Sequence, residues 1–281
     1  MRSRISKHLA ALLLISMPVV AHQQAQQQTQ QSQPAGQQPQ GPHAKSQKEL
    51  DALRQVQAAE QASNWDAEIA AINNVLENFA DTEYKPMLLN AAMQAAQRKN
   101  DYPQTIVWGE RVIQNDPKDF SARIMMAATI AQHTRENDLD KEQSLKKIDD
   151  YANQGLDLLK TASDTPPVGS SMSATDYAAY KKNEAGLAHM ALGKANEVRK
   201  KYPEAIAEYK TALSIDPRPD PTTMAYLSQA YIENKQYDDA IATADKILAM
   251  TDVSPQVKQF AQVQKDNATK LKGAAAPAAP K

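Results

Sequence analysis

The stretch KYPEAIAEYKTALSIDP, Lys201 to Pro217, decides how this chain is read. Tyr202 heads it, Ala205 follows three residues on, Tyr209 four after that and Ala212 three further, before Asp216-Pro217 stops it. Residues three and four apart share one face of a helix, so this face alternates small and large side chains. Weaker copies occur at NDYPQTIVWGERVIQNDP, Asn100 to Pro117, and KQYDDAIATADKILAM, Lys235 to Met250. Upstream of each copy lies another helical stretch: MLLNAAMQAAQRK after Pro86, LAHMALGKANEVRK from Leu187, and TTMAYLSQAYIENK after Pro221. The units that begin at Gly186 and Pro221 start 35 residues apart.

A pair of antiparallel helices cannot bury both of its apolar faces alone, and stacking the next pair closes the core. Close approach of two helices needs small residues, which Gly193 and Ala205 supply, while Tyr202 and Tyr209 fill the space beside them. Asp216-Pro217 and Asp220-Pro221 supply turn residues, since proline is tolerated in a first helical turn.

These residues resemble the tetratricopeptide repeat, a helix–turn–helix unit of about 34 residues. The Gly186 unit carries most of the family code in Leu192, Gly193, Tyr202, Ala205, Tyr209, Ala212 and Pro217, with Asn196 in place of an aromatic. The Pro221 unit keeps Leu227, Ser228, Tyr231, Tyr237 and Ala240, then departs at Ala244 and Ile247. The Pro86 unit keeps Ala92, Tyr102, Val112 and Pro117 but has Thr105 and Gly109 at two key places. Two more degenerate units flank it. One spans 47–79 with Trp65 at the aromatic head; the other spans 120–160 and is interrupted by HTRENDLDKEQS. The expected fold is an all-α, right-handed solenoid of about five tetratricopeptide-type helix pairs plus a C-terminal capping helix. In that last helix Ser254 is the expected N-cap, and Val257, Phe260, Ala261, Ala268 and Leu271 the inward stripe. Between the third and fourth units, TASDTPPVGSSMS is breaker-rich, and the helix after it is expected to run from about Ala174 to Lys200. This overhang reads either as a lip over the groove or as a simple insertion.

The ends read differently. Residues 1–21 pair Arg2, Arg4 and Lys7 with the apolar run LAALLLISMPVV and small residues at Ala21, a targeting pattern. The run is short for a spanning helix, which needs about 20 apolar residues. Cleavage after Ala21 would place the mature chain in the periplasm or outside the cell, with no membrane span; an uncleaved segment would make it a membrane-anchored accessory subunit of an envelope assembly complex. Residues 22–45, rich in glutamine and proline, read as a disordered tether, residues 46–272 as the folded solenoid, and 273–281 as a disordered Ala/Pro tail.

Composition narrows the chemistry. Cysteine is absent, which excludes disulfides and thiolate sites, and the net charge of -1 gives no footprint for nucleic acid. Only His133 and His189 lie in the expected folded part, in separate units, and no metal-ligand spacing, Gly-rich phosphate loop or Gly-x-Ser-x-Gly elbow occurs. His189 reads as a partly buried packing residue, the acidic pairs Asp149-Asp150 and Asp238-Asp239 as solvated, and the methionines of the first helices as core. No catalytic, cofactor or metal site is assigned; an enzyme with unrecognised groups is the lesser alternative. By the resemblance, first helices line a concave groove that binds a protein or peptide segment. Carried over residue by residue, the groove is lined by Asn90, Gln94, Gln97 and Arg98, by Met190, Lys194 and Glu197, and by Gln229 and Glu233, with Met87, Leu187, Thr222 and Ala225 beside them. The lysine–asparagine–arginine clamp of the family's chaperone-tail binders is missing, since Met125 and Tyr226 stand at its positions. The reading is thus a non-enzymatic scaffold or adaptor of the bacterial envelope.

Cleavage after Ala21 is directly testable. Intact-mass measurement of the exported protein should give a chain beginning at His22; a mass that retains residues 1–21 would favour the anchored form.

Overall fold

The computed structural model describes residues 41–167, 170, 172–215 and 220–275. The expected targeting segment, most of the tether, the Asp216-Pro217 turn and residues 276–281 lie outside the described residues. Among those described there are eleven helices and no strand. They form five successive pairs: α1 (Gln47–Gln61) with α2 (Trp65–Asn78), α3 (Lys85–Arg98) with α4 (Tyr102–Asn115), α5 (Phe120–His133) with α6 (Lys141–Thr161), α7 (Ala174–Val198) with α8 (Tyr202–Ile215), and α9 (Pro221–Glu233) with α10 (Tyr237–Ala249). The eleventh, α11 (Pro255–Ala275), packs on α9 and α10. Each second helix also packs on the first helix of the next pair, so the pairs stack into a solenoid.

Four of the five pairs are reversed by one device. Ser63, Asn100, Lys200 and Lys235 each have positive φ, between 52° and 61°, and each stands two residues before the aromatic that heads the second helix. At each the chain closes two backbone bonds of a Schellman motif, for example Lys201 N–H to Asn196 C=O at 2.9 Å and Lys200 N–H to Glu197 C=O at 2.8 Å. Carbonyls at the end of the first helix are thereby satisfied while the chain turns back. The pair α5–α6 is the exception. Its turn carries the charged insertion, and α5 ends with Thr134 in an extended conformation, its hydroxyl donating to Ile130 C=O at 2.8 Å. Helix starts follow ordinary capping: Ser46, Asn64, Asp101, Asp119, Ser173 and Asp220 each accept from a backbone N–H two or three residues into the helix.

Packing follows the alternation of small and large residues. Ala205, Tyr209, Ala240, Ala244 and Ile247 have no exposed surface; Met93, Met126, Met190 and Met224 are buried in the core, while Met87 and Met125 are half-buried against it. A Cβ added at Gly193 would stand 2.4 Å from the Tyr209 ring. Gly109, which departs from the family code, meets Met126 in the same way, its sulfur 2.3 Å from where a Cβ would be. The departure is filled by a flexible side chain from the next unit.

Several boundaries and contacts differ from the sequence reading. Residues 43–45 are tied to the body: His43 N–H donates to Glu83 at 3.2 Å, and Lys45 Nζ donates to the Asp81 carboxylate at 2.9 Å. Helix α11 runs through Gly273 to Ala275, into the expected tail. Ser254 does cap it, but Phe260 points outward at 40% exposure, off the stripe that buries Ala261, Gln264 and Ala268. Asp149 is not simply solvated; it takes a two-point ion pair from Arg199, at 2.6 and 3.2 Å, that ties α6 to α7. Asp238 pairs with Lys272 of α11. His189 is half-buried, as expected, with Nδ1 2.7 Å from Glu208.

Two glycines of α7 should respond with opposite signs to alanine. Gly193→Ala should destabilise the fold by about 1–3 kcal/mol through overpacking against Tyr209. Gly186→Ala, whose new Cβ would meet nothing nearer than 3.7 Å, should stabilise it by about 0.5–1 kcal/mol. Urea midpoints that move in the same direction for both would contradict this packing.

Candidate functional site

The first helices α3, α7 and α9 carry the residues assigned to the groove, and the structure sorts these into three fates. Gln94 is half-buried and Gln97 exposed, and neither side chain hydrogen-bonds another described residue. These two remain available on α3. Asn90, one turn earlier, is engaged: its amide donates to the Asp119 carboxylate at 3.2 Å and to Pro86 C=O at 3.3 Å. Asp119 is also the N-cap of α5, so this contact ties the third helix to the fifth.

Three residues placed at the groove leave it. Met190 is only 8% exposed and packs with Ala205, Tyr209 and Leu227 in the core beneath α8 and α9. Its place in the register is right, but the close approach of α8 draws a flexible apolar side chain inward. Ala225 is buried likewise. Arg98 stacks over the Trp65 ring of α2, 4.8 Å from its centroid, where a cation–π contact and the long apolar stem are both satisfied. It also faces Glu68 of α2, whose carboxyl is pushed up to about 7 by burial and by the charge of Glu60, with Arg98 opposing the shift.

The remaining residues form one connected cluster on α7, α9 and α11. Lys194 Nζ donates to Glu197 at 2.9 Å and lies over the Tyr226 ring, 4.4 Å from its centroid. The Tyr226 ring in turn stacks on Tyr209 of α8 at 6.1 Å. Burial raises the Glu197 carboxyl above the usual carboxylate range, and the Lys194 ammonium partly restores it. Burial and the Glu197 charge also hold the Tyr209 hydroxyl in its neutral form. Across the cluster, Gln229 donates to Glu233 at 2.7 Å and accepts from Gln264 of α11 at 2.5 Å. Glu233 and Thr222 stay exposed, and Tyr226 half-exposed. The sequence reading placed Tyr226 only as a departure from the chaperone-tail clamp and missed Gln264 and Asp119 as parts of this surface. Asp119 was visible as the residue before α5; nothing in the spacing of α11 pointed to Gln264.

Such an arrangement does not concentrate reactive groups. Among the described residues no cluster of three or more His, Asp or Glu side chains could hold a metal ion. What it offers is a polar row of amides, a carboxylate and a tyrosine, capable of bonding the backbone of an extended segment.

Stacked antiparallel pairs with this polar inner row define a helical-repeat protein. Residues 199–262 match the tetratricopeptide repeat family model, and the helix pairs before them continue the same fold. No curated protein sequence matches it. Among the solved structures that share its fold are three of comparable size or larger. A tetratricopeptide-repeat protein of Thermus thermophilus is 12% identical with a TM-score of 0.52, the match covering 77% of this chain and 98% of that one. A MamA protein is 15% identical with a TM-score of 0.50, covering 83% and 98%. Yeast Tom70 is 11% identical with a TM-score of 0.53, covering 82% of this chain and 42% of the Tom70 chain.

Lys194 and Gln94 should differ sharply on substitution. Lys194→Ala leaves the buried Glu197 carboxylate without its cation and should cost about 1–3 kcal/mol. Gln94→Ala should stay within about 0.5 kcal/mol of the parent. Thermal melts of the two variants check this, and equal melting points would remove Lys194 from the cluster described.

Proposed function

We propose that this protein is a non-catalytic scaffold of the bacterial envelope that holds a peptide or protein segment along its first helices. The tetratricopeptide fold supports protein–protein interaction as the broad role. One observation carries the finer reading: Gln94, Gln97, Gln229 and Glu233 present polar groups along the first helices at positions outside the apolar core. Side-chain amides suit the backbone of an extended ligand, because they offer both donor and acceptor without demanding net charge. The exported location rests on the charged and apolar pattern of residues 1–21. Retention of that segment would give the same scaffold tethered to a membrane.

Crosslinking in the native envelope, followed by identification of the captured protein, supplies the ligand. Replacing Gln94, Gln97 and Glu233 together by alanine should then weaken its capture at least about tenfold, since each lost hydrogen bond contributes ~0.5–1.5 kcal/mol. Replacing the exposed Lys210, Asp239 and Lys246 of the second helices should leave capture unchanged. The reverse result would put the partner on the second-helix side and end the groove reading.

A further inference from the structure

Helix α7 is longer than the other first helices, and its extra N-terminal turns are docked rather than free. The Tyr177 side chain is buried, Tyr180 packs its ring 6.1 Å from Phe120 at the head of α5, and Tyr177 and Tyr180 stack on each other. Lys181 ties the preceding loop to this segment, donating to Asp164 at 2.7 Å and to Ser163 C=O at 3.0 Å. At the centre of the contact sits Glu184. Its carboxyl interacts with the hydroxyls of Ser121 and Tyr180, and its Oε2 is buried with no hydrogen-bond partner among the described residues. Tyr180 and Glu184 fall on the same side of α7 as Leu187 and Lys194, so the overhang extends the first-helix surface past the head of α5.

The charges around Glu184 do not favour its ionised form. On α5 the facing groups are Asp119, an anion fixed by its N-cap bond and by Asn90 of α3, and Arg123. Arg123 is spent elsewhere, donating to Asp119 C=O at 3.0 Å and to Gln154 of α6 at 3.2 Å. Tyr151 of α6 lies toward Arg123, and on α7 itself the neighbours are Tyr177, Tyr180 and Lys181, the last directed to Asp164. A carboxylate seated here would be buried beside a second carboxylate, with no cation in reach.

We propose that residues 174–185 form a pH-gated flap, closed on α5 while the Glu184 carboxyl carries its proton and released when it gives that proton up. Burial pushes this carboxyl up to about 8 from its ordinary 4.5; the Ser121 and Tyr180 hydroxyls oppose the rise and the Asp119 charge adds to it. The sign follows from linkage. The docked form holds a proton that the released form loses above its ordinary range, so docking is strongest in acid. It weakens as pH rises from about 4.5 to about 8, by up to about tenfold per unit. Release uncovers the faces of Phe120, Tyr177 and Tyr180. This inference does not depend on the binding role proposed above.

Hydrogen exchange read by mass spectrometry on the whole protein tests it, with rates corrected for intrinsic pH dependence. In the parent, protection of peptides within 174–185 should fall at least about tenfold between pH 6 and pH 8, while α4 (Tyr102–Asn115) stays constant. Glu184→Gln, which keeps the shape without the charge, should flatten this dependence and restore protection at pH 8. The flap is overturned by protection in the parent that does not change with pH, or by equal loss in α4, which would signal general loosening. An unchanged slope in Glu184→Gln also overturns it. Should that variant misfold, the parent profile together with Asp119→Asn, expected to make the fall level off at lower pH and shrink its extent, decides the matter.

Discussion

Much of this molecule hangs on a missing side chain. Gly193 lets the Tyr209 ring lie where its own Cβ would be, which sets the separation of α7 and α8. From that ring the geometry propagates outward. Tyr226 of α9 stacks on Tyr209, Lys194 lies over Tyr226, and Glu197 holds Lys194 while facing the Tyr209 hydroxyl. A packing constraint between two helices thus positions the charged pair on the surface beside them. Gly155, whose Cβ would fall 2.5 Å from Ile124, and Gly109 against Met126 repeat the constraint in neighbouring pairs with different partners. The solenoid keeps its rule of close approach while changing the side chains that satisfy it.

The pairing of helices was legible in the chain because it is written in spacing. Aromatic heads, small residues and capping Asp or Ser residues recur at distances that only a helical register explains, and all five pairs and the last helix stand where that register puts them. The reversals were not legible. Three of their left-handed positions are filled by Ser63, Lys200 and Lys235 and only one, Asn100, by a residue that suits such a turn without glycine, so together they carry little compositional signal. The surrounding Schellman bonds and the packing of the paired helices hold these residues in a conformation that costs roughly 1–2 kcal/mol each.

The candidate surface was legible in direction but not in detail. A helical wheel assigns the side on which Asn90, Lys194 and Gln229 lie, because that depends on backbone register alone. It cannot tell which side chains are already spent on neighbours distant in sequence. Asn90 meets Asp119 and Gln229 meets Gln264, contacts that arise only once the pairs are stacked. Met190 and Arg98 were misassigned for a related reason: both are long and flexible, and each finds a better partner off the groove than on it.

Helices α5 and α7 each serve two separate cores. Ala122 and Met126 of α5 belong to the apolar cluster of the first two pairs, while Ile124, Ala127 and Ala131 belong to the next. On α7, Ala188 and Ala191 face back into that second cluster, while Met190 faces forward into the third. The body is therefore jointed like a chain of vertebrae, with these two helices as the discs between blocks. Mechanical load passing from one end of the solenoid to the other must cross both, so bending and twisting of the whole should concentrate there and leave the blocks themselves rigid.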